Sequence, residues 1–182
     1  MRQAAEAALG GYPKFHSIDG RSDGTTLPDA SVDLVTAAQA FHWFEPVATR
    51  AEFRRILRAP YWVALVWNER RQTSPFMQAY ERLLAGYGTD YRQVDHRYAA
   101  DFPALERFFA PNPFRQFTFP NEQVLDLDGM VGRLASTSYM PAPDTEGYDV
   151  LLAQAQALFE QYAEAGKVRI EYKTRVYLGQ LG

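Results

Sequence analysis

Leu27-Pro28-Asp29-Ala30-Ser31-Val32-Asp33-Leu34-Val35-Thr36-Ala37-Ala38-Gln39-Ala40-Phe41-His42-Trp43-Phe44-Glu45-Pro46 is the stretch that decides the fold. From Val32 to Ala38 it is an apolar run of strand length, the pattern of a parallel strand buried in an α/β sheet. It then turns abruptly into Gln39, Phe41, His42 and Trp43 and meets Glu45-Pro46, where proline suits the first turn of a helix. Ligands of open α/β sheets sit beyond the carboxyl ends of the strands, so a glutamine, a histidine and two aromatics stand where binding or chemistry is expected. The alternative is that Phe41, Trp43 and Phe44 are core and His42 only caps a turn.

Outward from this stretch the pattern repeats. Pro46 to Arg58 reads as an amphipathic helix with Val47, Phe53, Ile56 and Leu57 toward the sheet and arginines outside. Tyr61 to Trp67 is a second apolar strand, and Asn68 at its carboxyl end is a second candidate at the rim of the same crevice. Ser74-Pro75 opens a helix closed by Gly88, and a short helix is expected from Asp101. Phe114 to Phe119 reads as a strand, and Leu127, Met130, Val131 and Leu134 keep helical spacing. The Ser136-Thr137-Ser138-Tyr139 turn after that helix offers hydroxyls either to a ligand or to the helix end itself. Tyr148 to Ala165 is the longest helix, and Val168 to Leu178 alternates strictly, as a half-solvated antiparallel strand does. Toward the beginning, residues 2 to 9 form a helix stopped by Gly10-Gly11, and Lys14 to Asp19 is expected to be a short strand.

Composition narrows the function classes. The chain has 182 residues, and no linker or repeat divides it, so one domain over residues 1–182 is expected. A formal net charge of -3 speaks against nucleic acid or an anionic membrane as the main partner. The absence of cysteine removes disulfides, thiolate catalysis and thiolate metal sites together. His16, His42 and His96 include no pair at helical spacing, so no metal site is expected. No apolar run is long enough to span a membrane and no signal-peptide core follows Met1, which makes a cytoplasmic protein the expectation.

The Leu27–Phe44 stretch, together with Ala51 to Arg58, Trp62 to Asn68, Gly132-Arg133-Leu134, Ser136 to Pro141 and the last strand, resembles the class I S-adenosylmethionine-dependent methyltransferases of the small-molecule type. The resemblance implies a Rossmann-like sheet flanked by helices, here about five strands, mostly parallel, with an antiparallel C-terminal strand. It also implies S-adenosylmethionine as cofactor, with Ser22, Asp23 and Gln39 among its contacts. His42 is then the candidate base, Phe41, Trp43, Asn68, Ser138 and Tyr139 shape a substrate pocket, and residues 89–112 are a candidate lid. For Ser22 and Asp23 a plain solvated turn is the competing expectation.

The family's hallmark is missing. No Gly-x-Gly-x-Gly occurs anywhere in the 182 residues, and no acidic strand end is found that would hold the ribose hydroxyls. The chain therefore reads as N-terminally truncated relative to the family, with Met1 to Leu9 matching the helix after the second strand. Without those elements an edge of the central strand lies open, and unpaired backbone there calls for cover. Either Lys14 to Asp19 pairs beside Val32 to Ala38, or two chains pair as a homodimer. The expected function is that of a methyltransferase-like protein acting on a small molecule, impaired or inactive as this chain. The alternative is a non-catalytic ligand-binding or self-associating domain of methyltransferase descent.

Overall fold

A computed structural model of the chain describes residues 2–88, 102–137, 139–143 and 145–182. The deciding stretch forms strand β1 (Val32–Ala38), a 3-10 turn at Phe41–Trp43 and helix α2 (Pro46–Ile56), preceded near the start by α1 (Arg2–Leu9). The Glu45 carboxylate caps α2 by accepting hydrogen bonds from the amides of Val47 and Ala48, which satisfies donors that a helix start leaves over. Helix α2 buries Thr49, Phe53 and Ile56 and leads into the long strand β2 (Leu57–Arg70). Its arginines do more than face solvent. Arg50 donates to the carbonyls of Phe108, Ala110 and Gly182, and Arg54 donates to that of Leu181 while lying 4.1 Å over the Tyr61 ring.

Helices α3 (Pro75–Tyr87) and α4 (Phe102–Phe109) precede strand β3 (Phe114–Leu125), and α5 (Leu127–Ala135) and α6 (Tyr148–Tyr162) precede strand β4 (Val168–Gln180). The four strands form one sheet in the order β1-β2-β4-β3. β1 and β2 are parallel, whereas β4 runs antiparallel to both β2 and β3. Register sets Leu65 opposite Tyr177, Arg70 opposite Tyr172, and Gln123 opposite Ile170.

Because successive strand residues point to opposite faces, β4 serves two cores. Val168, Ile170 and Tyr172 are buried on one face against α3, α5 and α6, in a cluster that includes Met77, Leu84, Met130, Leu134 and Leu151. Tyr177 belongs to the other face, where Val63, Leu65 and Trp67 of β2 meet Phe53 of α2 and Leu105, Phe108 and Phe109 of α4. The expected single buried face of this strand is thus two faces, exchanged midway.

Two further expectations are corrected. The α/β class holds, but among the described residues the sheet has four strands where about five are expected, and one of its three pairings is parallel. Lys14 to Asp19 is not a strand and does not lie beside β1. It offers only Phe15 and Ile18 to a core, and Ile18 is 50% exposed. Residues 89–101 of the expected lid lie outside the described residues, and Phe102–Phe109 is a helix with Leu105, Phe108 and Phe109 buried. Among the described residues no helix is long and apolar enough to cross a membrane, and no group of three or more histidines and carboxylates stands ready for a metal ion.

Candidate functional site

Beyond the carboxyl ends of β1 and β2 lies a cavity of about 620 Å³, lined by Gln39, His42, Trp43, Asn68, Glu69, Arg70, Gln72, Glu81, Asn121, Gln123, Arg133, Ser136, Thr137, Tyr139 and Tyr172. This size is usual for a small-molecule site. Its floor is the sheet face on which Asn68 stands opposite Thr174, and Arg70 and Asn121 flank Tyr172. Its walls are the 3-10 turn on one side and the end of α5 on the other.

Gln39 fastens the first wall. Its φ of 50° lies in the left-handed region that residues with side chains seldom adopt, and such strain is characteristic of functional sites. The Gln39 amide donates to the Val66 carbonyl at 2.9 Å, and its side-chain oxygen accepts from the Asn68 amide at 2.7 Å. The ends of the two parallel strands are therefore stitched together. The Asn68 side-chain oxygen accepts from Thr174 at 2.6 Å and from Asn121 at 3.3 Å, which fixes its amide group. The following 3-10 turn sends Phe41 into the core and brings His42 and Trp43, with ring centroids 5.0 Å apart, to the cavity.

The second wall is charged. Arg70 donates to Glu81 at 3.2 Å with both side chains largely buried. Burial by itself lowers the Arg70 pKa, yet Tyr139 and Glu81 together hold it above the ordinary arginine value. Burial also pushes the Tyr80 phenol up, against the pull of Arg133 and Arg70. Arg133 donates to the Tyr172 hydroxyl at 3.2 Å, and that hydroxyl donates to Gln123 at 3.1 Å. Glu69 is paired with Arg175 at 2.7 Å.

The structure gathers five of the expected residues, Gln39, His42, Trp43, Asn68 and Tyr139, around this one cavity. Three others are placed elsewhere. Phe41 is buried among Phe44, Trp67 and Phe108 because the tight turn points successive side chains to different sides. Ser22 is spent on Thr49 of α2 at 3.0 Å, which ties its turn to that helix, Asp23 is held by two bonds from Arg21 within the turn, and neither lines the cavity. Ser138 lies outside the described residues. Sequence reasoning missed Arg70, Glu81, Asn121, Gln123, Arg133 and Tyr172 as site residues. A usable signal was a polar side chain in phase with buried ones, as Tyr172 is with Val168 and Ile170.

The residues present do not fit S-adenosylmethionine by themselves. Both carboxylates of the cavity, Glu69 and Glu81, are committed to arginines, so neither is available to ribose hydroxyls, and the sequence has no glycine-rich turn for close backbone approach.

Comparison with known proteins bears on the chain as a whole. Residues 1–60 match the family model described as a methyltransferase domain. An uncharacterized methyltransferase-like protein of Schizosaccharomyces pombe is 26% identical over 171 residues, covering 90% of this chain and 65% of its own length. An uncharacterized methyltransferase of Mycobacterium tuberculosis is 28% identical over 144 residues, covering 76% of this chain and 52% of its own. The chain thus spans between half and two thirds of the length of these relatives. Among solved structures, a protein described as a type II methyltransferase from Anaeromyxobacter dehalogenans superimposes with a TM-score of 0.61 at 22% identity, over 96% of this chain and 77% of that one. A protein described as a methyltransferase from Bacillus halodurans gives 0.52 at 14% identity, over 98% and 78%. At these identities the likeness is one of fold.

Proposed function

We propose that this chain, a relative of the class I S-adenosylmethionine-dependent methyltransferases, is a methyltransferase-like domain whose cavity binds a small molecule and which, as these 182 residues alone, is impaired or inactive in methyl transfer. The observation that carries this reading is a split. The acceptor side is assembled around Gln39, His42, Asn68 and Tyr139, while Ser22 and Asp23, two of the three residues expected at the cofactor, are engaged in other bonds. His42 is the proton acceptor of this site: it lines the cavity beside Trp43, where a hydroxyl or amine of a bound molecule comes within its reach. Gln39 and Asn68 position that molecule through the stitched strand ends.

Calorimetric titration of S-adenosylmethionine and S-adenosylhomocysteine into the purified chain tests the reading. No saturation up to millimolar concentration is expected. Saturable binding in the micromolar range would overturn the claim of impairment and make this chain a cofactor-binding enzyme unit in its own right.

A second reading, self-association, is favoured by one feature. Among the described residues β1 is an outer strand paired with β2 alone, and Leu34 on it is 47% exposed, so a second copy pairing along it would supply further backbone partners. Light scattering decides this: self-association requires a mass of two chains, and a monomer at high micromolar concentration removes the reading.

A further inference from the structure

The charges of the cavity do not balance. Four charged side chains line it, and three of them are matched: Arg70 by Glu81 within the cavity, and Glu69 by Arg175 from the neighbouring strand. Arg133 is the remainder. It is half-buried, and among the described residues no carboxylate lies within 4.0 Å of it. Among the described residues the one hydrogen bond of its side chain is that from Nε to the hydroxyl of Tyr172, whose ring centroid lies 6.0 Å from the guanidinium carbon. That hydroxyl spends its own proton on Gln123, so it meets Arg133 as an acceptor and fixes the plane of the guanidinium. The two terminal nitrogens have no partner among the described residues. A cation partly removed from water in this way is costly to leave unpaired.

The groups around it narrow the counter-ion. A planar fork of N–H donors is the geometric match of a carboxylate. The neighbouring hydroxyls of Ser136 and Thr137 donate to the carbonyl of Arg133 itself, at 2.8 and 3.0 Å, so they add no donors for a doubly charged phosphate. Glu69 and Glu81 in the same cavity disfavour a second negative charge.

We propose that the molecule taken by this cavity carries a single carboxylate, bound by the Arg133 guanidinium, with the remainder of the molecule lying toward Trp43 and His42. The proposal rests on the reading of the cavity as a small-molecule site and names the chemical class it accepts. Arg133 is in this role a binding and specificity-determining residue.

The test is titration of the full chain with phenylacetate, with its neutral counterpart phenylacetamide, and with methionine, followed by calorimetry or by shifts of amide resonances. Phenylacetate is expected to bind at least tenfold more tightly than phenylacetamide. In Arg133→Gln that preference is expected to vanish while phenylacetamide binding stays unchanged, and in Arg133→Lys it is expected to shrink severalfold, since lysine keeps the charge and loses the fork. Should Arg133→Gln fail to fold, the Arg133→Lys comparison decides. Equal affinity for acid and amide in the native chain would overturn the carboxylate proposal and leave the cavity reading standing. A preference that survives in Arg133→Gln would overturn the assignment to Arg133. Tighter binding of methionine than of phenylacetate would keep the carboxylate on Arg133 and overturn the placing of the remainder against the Trp43 and His42 rings, and binding of none of the three would overturn the cavity reading with it.

Discussion

Along the sheet face that floors the cavity, the half containing Val168, Ile170 and Tyr172 is roofed by α3, α5 and α6, whereas the half containing Leu34, Trp62 and Phe119 is open, these side chains being 47%, 36% and 51% exposed. The cavity lies at the border. There the side chains on this face change from Ala64 and Val66 to Asn68 and Arg70, so the polarity of β2 changes where the roof begins. A site of this kind needs one wall of helices and one open side for entry, and the unequal cover of a single face provides both.

The comparison predicts unequal costs for equal chemistry. Ile170→Ala, in the roofed half, is expected to lower stability by about 2–5 kcal/mol in urea unfolding, since Ile170 is fully buried and its neighbours cannot close the hole. A smaller loss would mean that the roof collapses easily onto the sheet.

Glu52, on the helix α2 that covers the opposite face, gives a pH-dependent effect. Arg55 first, and Thr25 after it, hold its carboxyl down from 4.5 to about 2. The folded pKa lies below the unfolded one, so its contribution is complete above about pH 4.5 and is lost as pH falls toward 2. Glu52→Gln is expected to cost about 1–2 kcal/mol at pH 6, through the bonds to Arg55 and to the Thr25 amide and hydroxyl, and nothing at pH 2. Unfolding curves of both proteins at pH 6, 3.5 and 2 would reveal a constant difference if the carboxylate were irrelevant.

A helix of the roof offers a third comparison. Asp126 accepts from the Gly129 amide at 2.8 Å and caps α5, and Asp126→Ala is expected to cost about 1 kcal/mol, read as a lowered midpoint of thermal unfolding. Least of all should matter at Leu34: Leu34→Thr is expected to change stability by less than about 0.5 kcal/mol. A loss above about 1.5 kcal/mol, growing with protein concentration, would show that the open half is covered in solution by a second chain.

Much of this was legible in the sequence, and the reasons differ from place to place. β1, β2, α2 and α3 were readable because apolar runs, proline at the helix starts and the Ser74 cap all act locally. Gln39, His42, Trp43 and Asn68 were readable because they follow those runs directly. Gln123, Asn121 and Tyr172 were not, since they reach the cavity only through the register of β3 on β4, which no single strand encodes, and Arg133 reaches it only through the packing of α5 on that sheet. Pro120 misled as well. It suggests the end of a strand after Phe119, yet β3 continues to Leu125 because it is an outer strand, where a missing N–H goes unnoticed. Lys14 to Asp19 failed for the opposite reason, having a strand's length without enough apolar surface to hold it on the sheet.

The exchange of buried face along β4 has a consequence for how the molecule comes apart. With Ile170 committed to one core and Tyr177 to the other, on the same strand and within seven residues, neither core can melt without withdrawing a partner from its counterpart. The most protected amides in the two halves of β4 should therefore exchange with solvent at one common free energy, that of global unfolding.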